Sequence, residues 1–240
     1  MKDAKNTPCS KEILLQGKHY LQIDNRIENI FETNGVEILP SIKAWEKLGW
    51  TKKYFSKKPK EGYFIWIKKQ VNFPLLACVS ISKKNVSQKL QNLLVVEKGL
   101  NIELLGNCSA LKKDLCGNHK AQGKIVLKQG SVLKYRHTHS WGKKDIVETD
   151  YNFVVEKKSK LDYSYESFFT PKKLKIKTKI DIFQGAGANI KITADCNQTE
   201  TEIRDFLALK EKGASGQIQL RLVGRKNSKI LSHSQILAAA

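Results

Sequence analysis

The segment KLKIKTKIDIF at 173–183 alternates without a break. Leu174, Ile176, Thr178, Ile180 and Ile182 fall on one face, and four lysines with Asp181 fall on the other. Successive side chains of a β-strand point to opposite faces, so this pattern predicts a half-buried strand with a lysine-rich outer surface. The stretch KIVLKQGSVLKYRHTHSW at 124–141 extends the pattern into a unit: an apolar strand, a Lys-Gln-Gly-Ser corner and a second strand. In that second strand Leu133, Tyr135, His137 and His139 share one face, while Val132, Lys134, Arg136 and Thr138 take the other.

The unit recurs. LLVV-EKG-LNIELL precedes it, and NFVV-EKKS-KLDYSY, KIDI-FQGAG-ANIKIT and FLAL-KEKGA-SGQIQLRL follow. The corners start at Glu97, Lys128, Glu156, Gln184 and Lys210, with spacings of 31, 28, 28 and 26 residues. A further corner, GRKNS at Gly224, comes only half a repeat later. Self-similarity at this period, with two strands per unit, marks an architecture built by stacking. The constant corner chemistry predicts a mainly β chain folded as a parallel β-helix, with a Greek-key sandwich as the structural alternative. Helical repeats are excluded, because no unit carries a 3.6-residue period.

Ahead of the repeat, GYFIWIKK and FPLLACVSI read as further short strands. Residues 1–60 are mixed and helix-leaning, with candidate helices at 11–20 and 40–50. Pro40 and Ser41 supply a start signal for the second, and Ile42, Trp45 and Leu48 share one of its faces. The charged, proline-containing KKYFSKKPKE at 52–61 is the expected boundary. It separates an N-terminal mixed/helical region and linker (1–60) from a β-helical core (61–240).

A formal charge of +20 raises the question of partners, because dense positive charge binds phosphate. Only five of the 43 basic residues are arginine, the side chain that contacts phosphate and guanine in bidentate fashion. The lysines also spread along every strand. A solvated lysine-rich surface is the favoured reading, and nonspecific nucleic-acid binding through lysine charge is expected to accompany it. The longest apolar run, FPLLACV, is far short of the roughly 20 residues that span a bilayer. The polar opening MKDAKNTPCSKE has no apolar segment of a secretory signal. A cytoplasmic protein with no membrane partner is the expectation. Five scattered cysteines without a CxxC pair argue against a disulfide framework and a common zinc site, so reduced thiols are expected.

No phosphate loop, dinucleotide fingerprint, HExxH or GxSxG motif is present. Asp162 and Glu166 come closest to a carboxylate pair, but with Ser164 they sit on the outward face of DYSYES and read as surface. Cys108 follows Ile102 and Leu104 at even spacing, so its thiol is expected to face the interior. Cys108, Cys116, His119, His137 and His139 gather within 32 residues, in units that a solenoid stacks one above the other. Thiolate and imidazole together suit zinc, copper or iron–sulfur chemistry. The plainer reading is a set of core histidines satisfied by backbone and tyrosine hydroxyls.

These residues also carry a resemblance. GYFIWIKK, LLVVEKG, IELLGNCSA, His119 and the strand running from Tyr135 to His139-Ser140-Trp141-Gly142 resemble the core of the SufB/SufD family of the SUF iron–sulfur cluster assembly system. The family's pattern is an apolar GYF-like strand, a Gly-Cys-Ser/Thr-Ala segment, a His opening the next rung and a Gln/His-Asn-Trp ending it. The resemblance implies a right-handed parallel β-helix and a noncatalytic scaffold working with a SufC-type ABC ATPase. It also implies a SufB/SufD-like partner subunit, in a homo- or heterodimer. An iron–sulfur cluster would be held transiently and with partners, none being required by this chain alone. Cys108 takes the place of a sulfur acceptor, Cys116, His119, His137 and His139 lie close to any metal or cluster, and Gly106 and Trp141 are structural. Asn107 interrupts the Gly-Cys pair and Ser140 replaces the family's Asn. The chain closes on SHSQILAAA, where the family continues with further rungs and with C-terminal helices that dock the ATPase. A basic nucleic-acid-binding β protein and a β-helix enzyme acting on acidic polysaccharide are the competing expectations.

Overall fold

The computed structural model describes residues 19–31 and 33–239. Three short strands come first: β1 (His19–Ile23), β2 (Arg26–Ile30) and β3 (Val36–Pro40). Helix α1 (Ser41–Lys47) and a 3-10 segment (Gly49–Tyr54) lead into β4 (Tyr63–Ile67) and β5 (Leu75–Ile81). Longer strands follow: β6 (Ser87–Val96), β7 (Asn101–Ala110), β8 (Asn118–Leu127), β9 (Val132–Ser140), β10 (Ile146–Val155) and β11 (Lys160–Phe169). The described chain closes with β12 (Lys173–Ile182), β13 (Gly187–Asn197), β14 (Glu200–Leu209), β15 (Ser215–Arg225) and β16 (Lys229–Ala238).

Consecutive strands from β4 onward alternate between two sheets, in the order β15-β13-β11-β9-β7-β5-β1-β2 and β16-β14-β12-β10-β8-β6-β4-β3. From β4 on, every pairing within a sheet is parallel. The architecture is therefore a parallel β-solenoid of about six turns, not a sandwich. The sequence period is its rise: Asn101 lies beside Val132, Val132 beside Lys160, Lys160 beside Gly187 and Gly187 beside Ser215.

Two kinds of corner join the sheets. At one edge the corners 97–100, 128–131, 156–159 and 183–186 each close in four residues, and 210–214 closes in five. Their third or fourth residue is Gly99, Gly130, Lys158, Gly185 or Gly213, each at positive φ, as a turn of this kind requires. The corners also bond to one another, Gly99 N–H to the Gln129 carbonyl and Gly130 N–H to that of Lys157. The other edge is irregular, with corners at 111–117, 141–145, 170–172, 198–199 and 226–228. GRKNS belongs to this second series, which is why it arrives half a repeat early.

Alternation sorts the core as expected. Leu174, Ile176, Thr178, Ile180 and Ile182 are buried, as are Leu133, Tyr135, His137 and His139. Burying each Leu or Ile side chain contributes about 1.5–3 kcal/mol of transfer free energy. The apolar run Leu93–Val96 is buried on both faces, because α1 packs outside β4 and β6. There Ala44 and Phe55 meet Phe64, Leu93, Val95 and Val126. Ser41 Oγ ties the helix start to the Gln91 carbonyl at 2.5 Å.

The helix expected at 40–50 is present as α1 followed by the 3-10 turn. Of the one expected at 11–20, residues 11–18 lie outside the described residues, and His19 and Tyr20 open β1. β1 runs parallel beside β5 and β3 antiparallel beside β4, so segments before Glu61 add strands to both sheets. Among the described residues no helix is long and apolar enough to cross a membrane. Cys108, Cys116 and Cys196 are free thiols. Cys78 is disulfide-bonded, which corrects the expectation of reduced thiols throughout.

Candidate functional site

Parallel register brings the chemistry-bearing residues together. Cys108 on β7 lies beside His139 on β9, and Gly106 lies beside His137. The glycine makes the space: a Cβ at Gly106 would come within 2.9 Å of Tyr135 Oη and 3.0 Å of His137 Cδ2. One rung further on, Tyr163 and Tyr165 of β11 stand beside Tyr135 and His137. His119 enters from the opposite sheet, its ring centroid 6.0 Å from that of His139 and 4.9 Å from that of Trp141. Cys108, His119, His137, His139 and Trp141 are all at most 5% exposed.

The hydrogen bonds fix the tautomers. Trp141 Nε1–H donates to His139 Nδ1 at 3.0 Å. An indole nitrogen can only donate, so His139 carries its proton on Nε2, which faces His137 Nε2 at 3.0 Å. His137 therefore accepts at Nε2 and keeps its proton on Nδ1, turned toward the Tyr163 hydroxyl in a long 3.4 Å contact. Cys108 Sγ lies 3.5 Å from the same His137 Nε2. His119 donates from Nδ1 to Gln88 Oε1 at 2.8 Å, which leaves its buried Nε2 lone pair without a partner.

Burial governs the ionisation of the whole group. It pushes the Cys108 thiol up to about 12. It drives His119 and His137 down to about 3, with the neighbouring His119 adding to the effect on His137. His139 is lowered in the same way, and then by His137 and His119. The imidazoles are neutral and the thiol is protonated. Lys112 and Lys113, which follow Cys108 in sequence, stand exposed in the corner 111–117.

Of the residues singled out in the sequence, Cys108, His137 and His139 converge, their ligand atoms all within 4.8 Å of one another. Trp141 and His119 border them, and Gly106 gives them room. Cys116 does not join: it is exposed in the corner 111–117, its Sγ 4.0 Å from the Asp114 carbonyl. The corner after Trp141 is held by Asp145, whose carboxylate accepts from Gly117 N–H and Gly142 N–H at 2.7 Å each.

Sequence reasoning missed Tyr163, Tyr165 and Asp145 as neighbours of this site. The tyrosines were findable, since they stand one repeat beyond Tyr135 and His137 on the inward face. Asp205 was also overlooked. It takes an inward position on β14, and burial pushes its carboxyl up to about 6, against the pull of the Thr178 and Ser234 hydroxyls.

Comparison with known proteins supplies a context. The chain is similar to an iron–sulfur cluster assembly SufBD family protein of Archaeoglobus fulgidus, 28% identical over 142 residues that cover 51% of this chain and 37% of that relative. It is also similar to the SufBD family protein MTH1150 homolog of Methanothermobacter thermautotrophicus, 26% identical over 69 residues. That match covers 29% of this chain and 17% of the relative. The chain thus matches well under half the length of either relative. No family model matches it.

Proposed function

We propose that this chain is a noncatalytic β-helical scaffold in iron–sulfur cluster assembly, of the SufB/SufD type. It works in the cytoplasm with a SufC-type ABC ATPase and a SufB/SufD-like subunit. The observation that carries the reading is the pairing of the GNCSA strand with the His-Ser-Trp strand in adjacent rungs. These are the segments whose order resembles the family, and the two SufBD relatives support the same context.

The interior site does not fit a cluster by itself. Fe–S clusters are held by several cysteine thiolates, and among the described residues only one thiol stands here, with His137 Nε2 3.5 Å from it and 3.0 Å from His139 Nε2. In this reading any cluster is assembled with partners, and Cys108 serves as a sulfur acceptor only when the interior opens. Native alkylation at neutral pH, mapped by peptide, should label exposed Cys116 and leave Cys108 unmodified until the chain is unfolded. Fast labelling of Cys108 would mean the interior is open at rest.

The basic surface favours neither competing class. A groove crosses the outward residues of β8, β10, β12 and β14. Three of its lysines are paired across rungs, Lys120 with Glu148, Lys175 with Glu202 and Lys177 with Asp150. Size-exclusion chromatography with light scattering, on the chain mixed with a SufC-type ATPase and a SufB/SufD-like subunit, tests the proposal. A complex with either at micromolar concentration is expected. Absence of both, with sequence-selective nucleic-acid binding that survives physiological salt, would replace it.

A further inference from the structure

We propose that Cys108, His137 and His139 form a closed site for a single soft cation with a filled d shell, Zn²⁺ or Cu⁺, inside the solenoid. The inference rests on geometry alone and is independent of the assembly role. Metal–sulfur and metal–nitrogen bonds of about 2.3 and 2.0–2.1 Å, at tetrahedral angles, set S···N near 3.5 Å and N···N near 3.3 Å. The site shows 3.5 Å from Cys108 Sγ to His137 Nε2 and 3.0 Å from that nitrogen to His139 Nε2. The third separation falls within 4.8 Å. A modest adjustment would centre one ion.

The proton count points the same way. Cys108 S–H and His139 Nε2–H both aim at His137 Nε2, which has one lone pair to offer. Two donors on one acceptor is a poor arrangement in a buried place, and a cation between the three atoms relieves it. On binding, the Cys108 thiol gives up its proton to solvent and becomes thiolate. The His139 proton moves from Nε2 to Nδ1, and the bond from Trp141 is lost. One proton is released per ion, and nothing is oxidised or reduced.

The surroundings also favour an ion over plain packing. His119 Nε2 and Tyr165 Oη are buried without partners beside the cluster, and the Tyr165 ring lies 4.6 Å from that of His139. Buried polar atoms are usually paired, and these orphans, with the Tyr135 hydroxyl beside them, give the site polar groups that a ligand could satisfy. The ligand atoms of His119 fall outside the set that converges within 4.8 Å, so Cu⁺ is content with the three, whereas Zn²⁺ needs a fourth ligand drawn in. With one thiolate, two imidazoles and no carboxylate, the set discriminates against Mg²⁺ and Ca²⁺, which take oxygen ligands.

Because the site is enclosed, loading is tested by refolding. The full chain carrying Cys116→Ser and Cys196→Ser, which removes the other free thiols of the described residues, is refolded with Zn²⁺, or anaerobically with Cu⁺, then dialysed and assayed for metal. About one equivalent of one of the two ions should be retained, and the arms tell which. Adding Cys108→Ser or His139→Gln should lower retention at least tenfold, while His233→Gln on exposed β16 should not change it. Refolding with Co²⁺ gives a reading that needs no further variant: a thiolate-to-cobalt charge-transfer band in the near ultraviolet. A β-folded chain that retains less than a tenth of an equivalent of both ions and shows no cobalt band would overturn the proposal. So would full retention after Cys108→Ser.

Discussion

At one edge of the solenoid the core is lined by Val96, Leu127, Val155 and Ile182, and from β6 onward the corners close in four or five residues. At the other edge the early rungs present Gln88, Cys108, His119, His139 and Trp141 to the interior, and the corners vary from two to seven residues. The same strands of nine to eleven residues serve both. The aliphatic edge is stabilised by apolar area removed from water and by corner glycines that take positive φ without strain. The polar edge must instead satisfy each donor and acceptor individually, and it leaves some unsatisfied. Regular repetition and chemical opportunity therefore sit at opposite ends of every early rung.

The sharpest way to break this contrast is to truncate one buried side chain at each edge. Leu127→Ala should lower the unfolding free energy by about 2–5 kcal/mol, since it combines lost transfer energy with a cavity. Ser167→Ala, on the polar side, removes a buried hydroxyl that has no partner and should be neutral or slightly stabilising. Urea unfolding curves with unchanged slopes measure both. A loss for Ser167→Ala as large as that for Leu127→Ala would show that the Ser167 hydroxyl is bonded after all.

Asp205→Asn probes the polar interior further along the stack. A carboxyl whose folded pKa is raised to about 6 contributes fully below its unfolded value, and the contribution is lost as pH rises through the folded one. The wild-type chain should therefore lose stability between about pH 4 and pH 7, by at most about 3 kcal/mol. The Asn variant should lack this slope, matching the wild type in acid and exceeding it at pH 8. Parallel pH profiles for the two chains would show that Asp205 is not desolvated.

The smallest effects belong to the regular corners. Gly130 has φ near +72° and open space around its missing Cβ, so Gly130→Ala isolates the conformational cost, about 1 kcal/mol. Lys158 holds the equivalent place at φ near +59°, and Lys158→Gly should recover about 0.5–1 kcal/mol. Melting temperatures moving in opposite directions would confirm that backbone geometry, and not side-chain contact, selects glycine there.

What the sequence revealed follows the same division. The inward faces of β9 and β12 could be read by alternation, and the aliphatic-edge corners could be read because glycine recurs at a conformation that requires it. β1 and β3 could not, because each spans five residues and pairs with a strand distant in sequence, as β1 does with β5. Cys116 looked like a member of the cluster by spacing alone. Corner length placed it outside, and no local pattern encodes that length. The convergence of Cys108, His137 and His139 required register as well as face, and register depends on how many residues each corner consumes.

The corner-to-corner bonds, Gly99 to Gln129 and onward, have a further consequence. They carry the ladder around the aliphatic edge, so a residue inserted there must break a bond above and another below. The irregular edge already accommodates turns of several lengths, and added residues there loop outward while the strands keep their faces. Insertions between rungs should therefore be absorbed on the side that carries the cysteine and the histidines. New surface loops, and whatever they come to recognise, can arise next to the polar interior without disturbing the stack.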